Sequence, residues 1–195
     1  KNEELASEKK EILSSVFRSQ LPVMNKVEFN VEAQAMGENA TPIMITQSEY
    51  MRRMKEMAHI QAGMSFYGEM PDMFNVVLNS DHKLVKQVLA DAHEACSAEL
   101  LPIETSMATL NFEQSELQKK QEGKKYDEIP QAEKDALNDV QKKLADEKSK
   151  KEAVLGKYAA GNKVVRQLVD LALLQNNMLK GEALNNFVKR SIEMI

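Results

Sequence analysis

Residues 67–89 read YGEMPDMFNVVLNSDHKLVKQVL, and they hold the switch that decides the fold. Phe74–Leu78 is a short apolar run of strand length, closed by the polar residues Asn79 and Ser80. Asp81 is placed to cap a helix, because its carboxylate can accept from the backbone N–H groups that open the first turn. Leu84, Val85, Val88 and Leu89 then recur at helical spacing. Upstream the period is two: Val27, Phe29, Val31 and Ala33 alternate with Glu28, Asn30 and Glu32, the pattern of a half-buried strand. Gly37–Pro42 reads as a turn and Ile43–Ile45 as a second short strand. A helix is predicted over Lys1–Ser19, with Ile12, Leu13, Val16 and Phe17 on one side and Pro22 ending it. Together these predict an α+β fold, helices packed around a small sheet.

Between the second strand and this switch lies a segment of different character. Thr46 and Glu49 fit a capping box, predicting a helix from there to about Gln61 with Gly63 as its stop. Met64–Pro71 then reads as a glycine- and proline-marked loop. Along the helix Met51, Met54, Met57 and Ala58 fall on one side, while Arg52, Arg53, Lys55 and Glu56 cover the others, and Met44 and Met64 flank it. The chain holds 12 methionines and no tryptophan, so their placement matters. An unbranched thioether fills irregular cores, and it also suits surfaces that must adapt to many partners. Spacing alone leaves both uses open, with core filling the ordinary one.

Downstream of Leu89 the texture becomes charged. Pro102 suits the first turn of a helix, and Ile103, Met107, Leu110 and Leu117 follow at heptad steps. Gln121–Pro130 is a polar turn containing Gly123. Leu137, Val140 and Leu144 resume the heptad step, as do Val154 and Tyr158, with Glu147 and Lys151 weakening the seam between them. Residues 95–160 are thus predicted to be an antiparallel helical hairpin, the alternative being a charged linker. After Gly161, Val164, Val165, Leu168, Val169, Leu171, Ala172, Leu173 and Leu174 are too apolar for a helix covered on one side only. Asn176 and Asn177 interrupt, and a last helix from Glu182 carries Leu184, Phe187, Val188, Ile192 and Ile195. Two such helices call for a partner surface. The chain divides into a linking helix (1–20), an α+β core with the methionine helix (21–94), the hairpin (95–160) and a terminal helix pair (161–195).

Little in the sequence points to chemistry. Hydrophobic residues make up 43% and charged residues 29%, with a net charge of -4, a globular composition without the basic field that nucleic acid binding uses. No apolar run has the length of a membrane span. One cysteine, Cys96, excludes an internal disulfide and fits a reducing, cytoplasmic setting. Cys96 stands three residues from His93, but no third group or oxyanion hole is suggested for nucleophilic catalysis. His59, His82 and His93 fit no zinc spacing. Gly156–Lys163, GKYAAGNK, misses the phosphate-loop pattern because Asn162 separates the second glycine from its lysine and no Ser or Thr follows; it is expected to be a loop between helices. The first residue is Lys1 rather than Met, which reads as a piece of a longer protein.

Two blocks carry a family resemblance: YGEMPDMFNVVLNSD at 67–81 continuing into HKLVKQVL, and DLALLQNNMLKGEALNNF at 170–187 ending in VKRSIEMI. Together they resemble the C-terminal domain of the heat-shock protein 90 family of chaperones in its bacterial form, over roughly residues 20–92 and 160–195. That resemblance implies a homodimer in which the last two helices of each subunit form a four-helix bundle, with Leu168, Leu171, Leu174, Leu184, Phe187 and Ile192 at the contact. It implies a client-contacting helix whose counterpart is the methionine helix, so Met51, Met54, Met57, Ala58 and Met64 become candidates for binding unfolded or partly folded proteins. It implies no catalytic residue and no cofactor here, with ATP and magnesium belonging to an N-terminal domain outside this chain. The charged hairpin is longer than the family pattern and looks like an insertion. A stand-alone coiled-coil adaptor, with the hairpin as its working part, is the competing reading.

Overall fold

The computed structural model describes residues 5–195. Its elements are α1 (Ser7–Arg18), β1 (Val27–Gln34), β2 (Ile43–Gln47), α2 (Glu49–Ala58), α3 (Ser65–Glu69), β3 (Asp72–Asn79), α4 (Lys83–Gln121), α5 (Gln131–Ala160), α6 (Lys163–Gln175) and α7 (Gly181–Glu193). The class is α+β, as expected. Of the helix predicted over Lys1–Ser19, residues 1–4 lie outside the described residues, and the helix begins at Ser7.

The three strands form one mixed sheet in the order β1-β3-β2, with β1 parallel and β2 antiparallel to the central strand. The register aligns the apolar positions that the sequence pattern marks. Val31, Val76 and Ile45 form one row across the sheet, and Ala33, Leu78 and Ile43 form the next. All six are buried, and they join Leu13, Val16 and Phe17 of α1, Val85, Val88 and Ala92 of α4, and Val165, Val169 and Leu173 of α6 in one core. Non-directional burial of this kind supplies most of the stabilisation, about 25 cal/mol for each Å² of apolar surface removed from water.

The junction after β3 departs from the expected capping. Asn79 is completely buried, and its side chain is satisfied on both ends. Its Oδ1 accepts from the N–H groups of Met36 and Asp81, each at 3.1 Å, and its Nδ2 donates to the carbonyls of Gly37 (2.8 Å) and Ala40 (3.4 Å). The Asp81 carboxylate accepts from Gly37 N at 2.8 Å, so it holds the β1–β2 turn rather than capping α4. Gly37 adopts φ +89°, a left-handed conformation that favours glycine. The cap of α4 is His82, whose Nδ1 accepts from Leu84 N at 3.2 Å. Likewise Thr46 and Glu49 form no capping box, because Thr46 pairs with Asn75 inside the sheet. Ser48 caps α2 instead, accepting from Met51 N.

Pro102 does not start a helix. It lies within the 39-residue α4, which runs unbroken from the sheet into the hairpin. Proline removes one backbone donor, but Pro102 and Ala98, one turn earlier, are both exposed, so water can serve the freed carbonyl. The two charged helices do pack as a hairpin, its first arm continuous with the helix that starts at Lys83: α4 packs on α5, Gly123 turns the chain at φ +77°, and Leu110 and Val140 are buried in the seam. Lys151 sits in that seam at only 8% exposure, with Glu104 at 3.5 Å as its counter-charge. Gly156–Ala160, expected in a loop, forms the last residues of α5, leaving Gly161 and Asn162 as the connection to α6. Asn162 caps α6 by accepting from Val165 N at 3.0 Å.

Candidate functional site

Among the described residues, exposed apolar side chains gather in two places besides the hairpin. The first is the helical excursion between β2 and β3, comprising α2, the 3-10 turn Ala62–Met64 and α3. The helix ends at Ala58 rather than Gln61, and what reads as a loop after Met64 is the short helix α3. No apolar side chain from 48 to 70 belongs to the core cluster or packs against it. The excursion is instead closed on itself: α2 touches the 3-10 turn and α3, and Gly68 of α3 lies close to Ala58. Lys55 ties α2 to the start of β3 through Asp72 at 2.8 Å.

Placement of the five predicted contact residues is uneven. Met51, Met54 and Met64 are half-buried, Ala58 is buried, and Met57 is exposed. The larger exposed groups are ones that the methionine spacing does not single out: Ile60 at 84%, Phe66 at 71%, and Tyr50. The Phe66 and Tyr67 rings meet edge to face at 5.9 Å, giving that part of the surface a rigid aromatic edge. The signal available in the sequence is a run of large apolar groups, Ile60 and Phe66 among them, in a segment too short and glycine-marked to bury them. On the solvent side Glu49–Arg53 and Arg52–Glu56 pairs bracket the helix at i, i+4, spacing that supports a solvated helix.

The second surface is made by α6 and α7. Leu168 faces the chain's own core, whereas Leu171 and Leu174 are more than one-third exposed. Leu184 and Phe187 of α7 are partly buried against the core, and Ile192 is 68% exposed with Val188 and Met194 beside it. None of the 13 residues of α7 is fully buried.

The sites of possible chemistry are not assembled. Cys96 is buried while His93 is exposed, so the two do not share a pocket. Burial, with Glu99 nearby as a lesser cause, pushes the Cys96 thiol above its ordinary range, the opposite of what a nucleophile needs. Among the described residues no group of three His, Cys, Asp or Glu side chains could hold a metal ion, and no helix is long and apolar enough to cross a membrane.

The described residues form a closed core with uncovered apolar faces, and no catalytic group is assembled among them. The chain is 67% identical, over all 195 residues, to the chaperone protein HtpG of Bacteroides fragilis, and 65% identical to that of Bacteroides thetaiotaomicron. It is 40% identical over 191 residues to HtpG of Porphyromonas gingivalis. The chain belongs to the HtpG chaperones of the heat-shock protein family, as a homologue of one segment of them. It spans only 28–29% of the length of these relatives. The match runs through residues 95–160 as well, so the charged hairpin is shared with these relatives. No family model and no solved structure matches the chain.

Proposed function

We propose that this chain is the C-terminal homodimerisation and client-contact module of an HtpG chaperone, acting in cytoplasmic protein folding and the stress response. The observation that carries the reading is α7: Leu184, Phe187, Val188 and Ile192 lie along a helix that its own chain leaves without one fully buried residue. Ordering such a helix costs conformational entropy that its few internal contacts offset poorly, so a partner surface is called for. A second copy meets that need symmetrically, because a two-fold axis lets the same apolar stripe cover itself in a four-helix bundle. Leu171, Leu174, Leu184, Phe187 and Ile192 form the contact, with Leu168 supporting α6 from inside.

The excursion at 48–70 is the client surface in this reading. Met51, Met54, Met57 and Met64 supply adaptable thioether surface with Ala58 beneath them, and Tyr50, Ile60 and Phe66 extend it. Each contact is weak, so unrelated, partly unfolded chains are held by summed burial rather than by one pocket. The module carries no catalytic role and needs no cofactor; ATP and magnesium act in another domain of the whole chaperone, and neither nucleic acid nor membrane is a partner. A stand-alone coiled-coil adaptor fits less well, because the hairpin's apolar seam is already filled by its own two helices.

Sedimentation equilibrium tests the dimer. The unmodified chain is expected to be dimeric at micromolar concentration, and Leu171→Glu with Ile192→Glu to be a folded monomer, because burying unpaired charges costs several kcal/mol. A monomeric unmodified chain contradicts the proposal. Deleting the hairpin should leave dimerisation intact, whereas an adaptor would lose its partners.

A further inference from the structure

Beside the apolar packing of Leu184 and Phe187, α6 and α7 are joined by a polar network. The Arg190 guanidinium donates through Nε to Gln167 Oε1 at 3.0 Å and through Nη2 to the Asp170 carboxylate. Gln167 in turn donates through Nε2 to Ser191 Oγ at 2.7 Å, and the Ser191 hydroxyl donates to the Phe187 carbonyl at 2.8 Å. Arg190 and Asp170 are both largely sheltered, with side chains at 14% and 20% exposure. Further along the seam Lys163 and Glu193 approach at 3.4 Å in solvent. Ala183, Asn186 and Arg190 look across an open cleft of about 780 Å³ bordered by Met24, Leu173 and Leu179.

From these contacts we infer that Arg190 is the positioning residue that fixes α7 against α6 and thereby sets the angle at which the dimer surface is presented. The inference rests on the dimer reading above. Leu184 and Phe187 hold α7 near the body, but apolar contact is non-directional and tolerates rotation and sliding. The Arg190 guanidinium bonds two partners one helical turn apart on α6 through Nε and Nη2, two donors that one rigid plane holds in fixed relation, which restrains both depth and rotation. An ammonium is a compact charge on a flexible stem without that rigid plane, so lysine keeps the charge while losing the geometry. A symmetric bundle needs both copies of α7 at one angle, so a loosened α7 lowers the population competent to pair.

The test compares the unmodified chain with Arg190→Ala, Arg190→Lys and Gln167→Ala by sedimentation equilibrium and by amide hydrogen exchange. Arg190→Ala and Arg190→Lys are expected to raise the dimer dissociation constant about tenfold or more, with Gln167→Ala giving a smaller change of the same sign. Exchange should quicken in α7 while amides of β3 and α6 keep their protection, which separates a misplaced α7 from a damaged body. Gln167→Ala removes only a neutral side chain and keeps the test decisive should an Arg190 variant fold poorly. If the unmodified chain is a dimer and Arg190→Lys dimerises equally well with α7 exchange unchanged, the positioning role is overturned and the dimer reading survives. A monomeric unmodified chain overturns both.

Discussion

The sheet and the excursion inserted into it are built from similar apolar residues and do opposite things with them. Val76 and Leu78 of β3 are wholly buried, each flanked by apolar partners on both neighbouring strands. Upstream in the same chain, Ile60 and Phe66 leave most of their side-chain surface in solvent. The difference lies in length and connectivity. The strand is central in a sheet covered by α1, α4 and α6, whereas a ten-residue helix, a 3-10 turn and a five-residue helix cannot enclose a core of their own. Apolar content therefore does not say what a segment is for; whether the fold gives it a cover does.

The largest effect should separate these two regions directly. Leu78→Ala is expected to cost about 3–5 kcal/mol in urea unfolding, as a deep cavity does, while Ile60→Ala and Phe66→Ala should stay within about 0.5 kcal/mol. Equal losses at the two places would show that the excursion is packed into the body. Changing Met51, Met54 and Met57 together to Ser should loosen the excursion, leave unfolding of the body and dimerisation unaffected, and weaken capture of an unfolded substrate by the whole chaperone. Loss of body stability with capture intact would instead make the stripe ordinary core. Next in size, Asn79→Ala should cost about 1–3 kcal/mol, because it removes the hydrogen bonds of a wholly buried amide and leaves partly buried backbone groups of the 36–40 turn without that partner. A change within error there would mean that water replaces the amide.

Most of the body is legible in the sequence because its periods are clean: two along β1 and heptad steps through the hairpin. What misleads is punctuation. Thr46–Glu49 matches a capping box and Asp81 a cap, yet in each case the residue has a stronger tertiary engagement, pairing in β2 for Thr46 and the Gly37 amide for Asp81. Pro102 reads as a beginning because local rules cannot see that α5 supports the helix on its other side. The exposed apolar stripe of α6, which the proposal assigns to a dimer contact, is only partly visible in the sequence. Residue spacing marks α6 as apolar all round, but only the placement of the sheet decides that Leu168 turns inward while Leu171 and Leu174 turn out. Ile60 and Phe66 escape because a methionine periodicity draws the eye to α2 alone.

Smaller effects sharpen the same contrast between covered and uncovered positions. Pro102→Ala should stabilise the chain by about 1 kcal/mol, since it restores a helical donor at an exposed site, and slow amide exchange just beyond residue 102. Lys151→Met should change stability by less than about 1 kcal/mol despite breaking the ion pair with Glu104, because the methionine fills the seam without a charge to desolvate. Cys96 should react with thiol reagents far more slowly in the folded chain than in urea. Its folded pKa is raised, so the unfolded state releases the proton first; this contribution to stability is complete below the ordinary thiol range and declines as pH rises through it. Prompt modification of the native chain at neutral pH would contradict that burial.

The most direct test of the central claim, that the excursion is a surface kept uncovered for other proteins, is site-specific photo-crosslinking in the whole chaperone. A photoreactive side chain is placed at Ile60, at Phe66 and, for comparison, at Leu101, which is also exposed but lies on α4. The probe is a chemically unfolded, reduced and alkylated protein. Adducts are expected from positions 60 and 66 and few or none from 101. Equal yields at all three, or adducts mainly from 101, would contradict it.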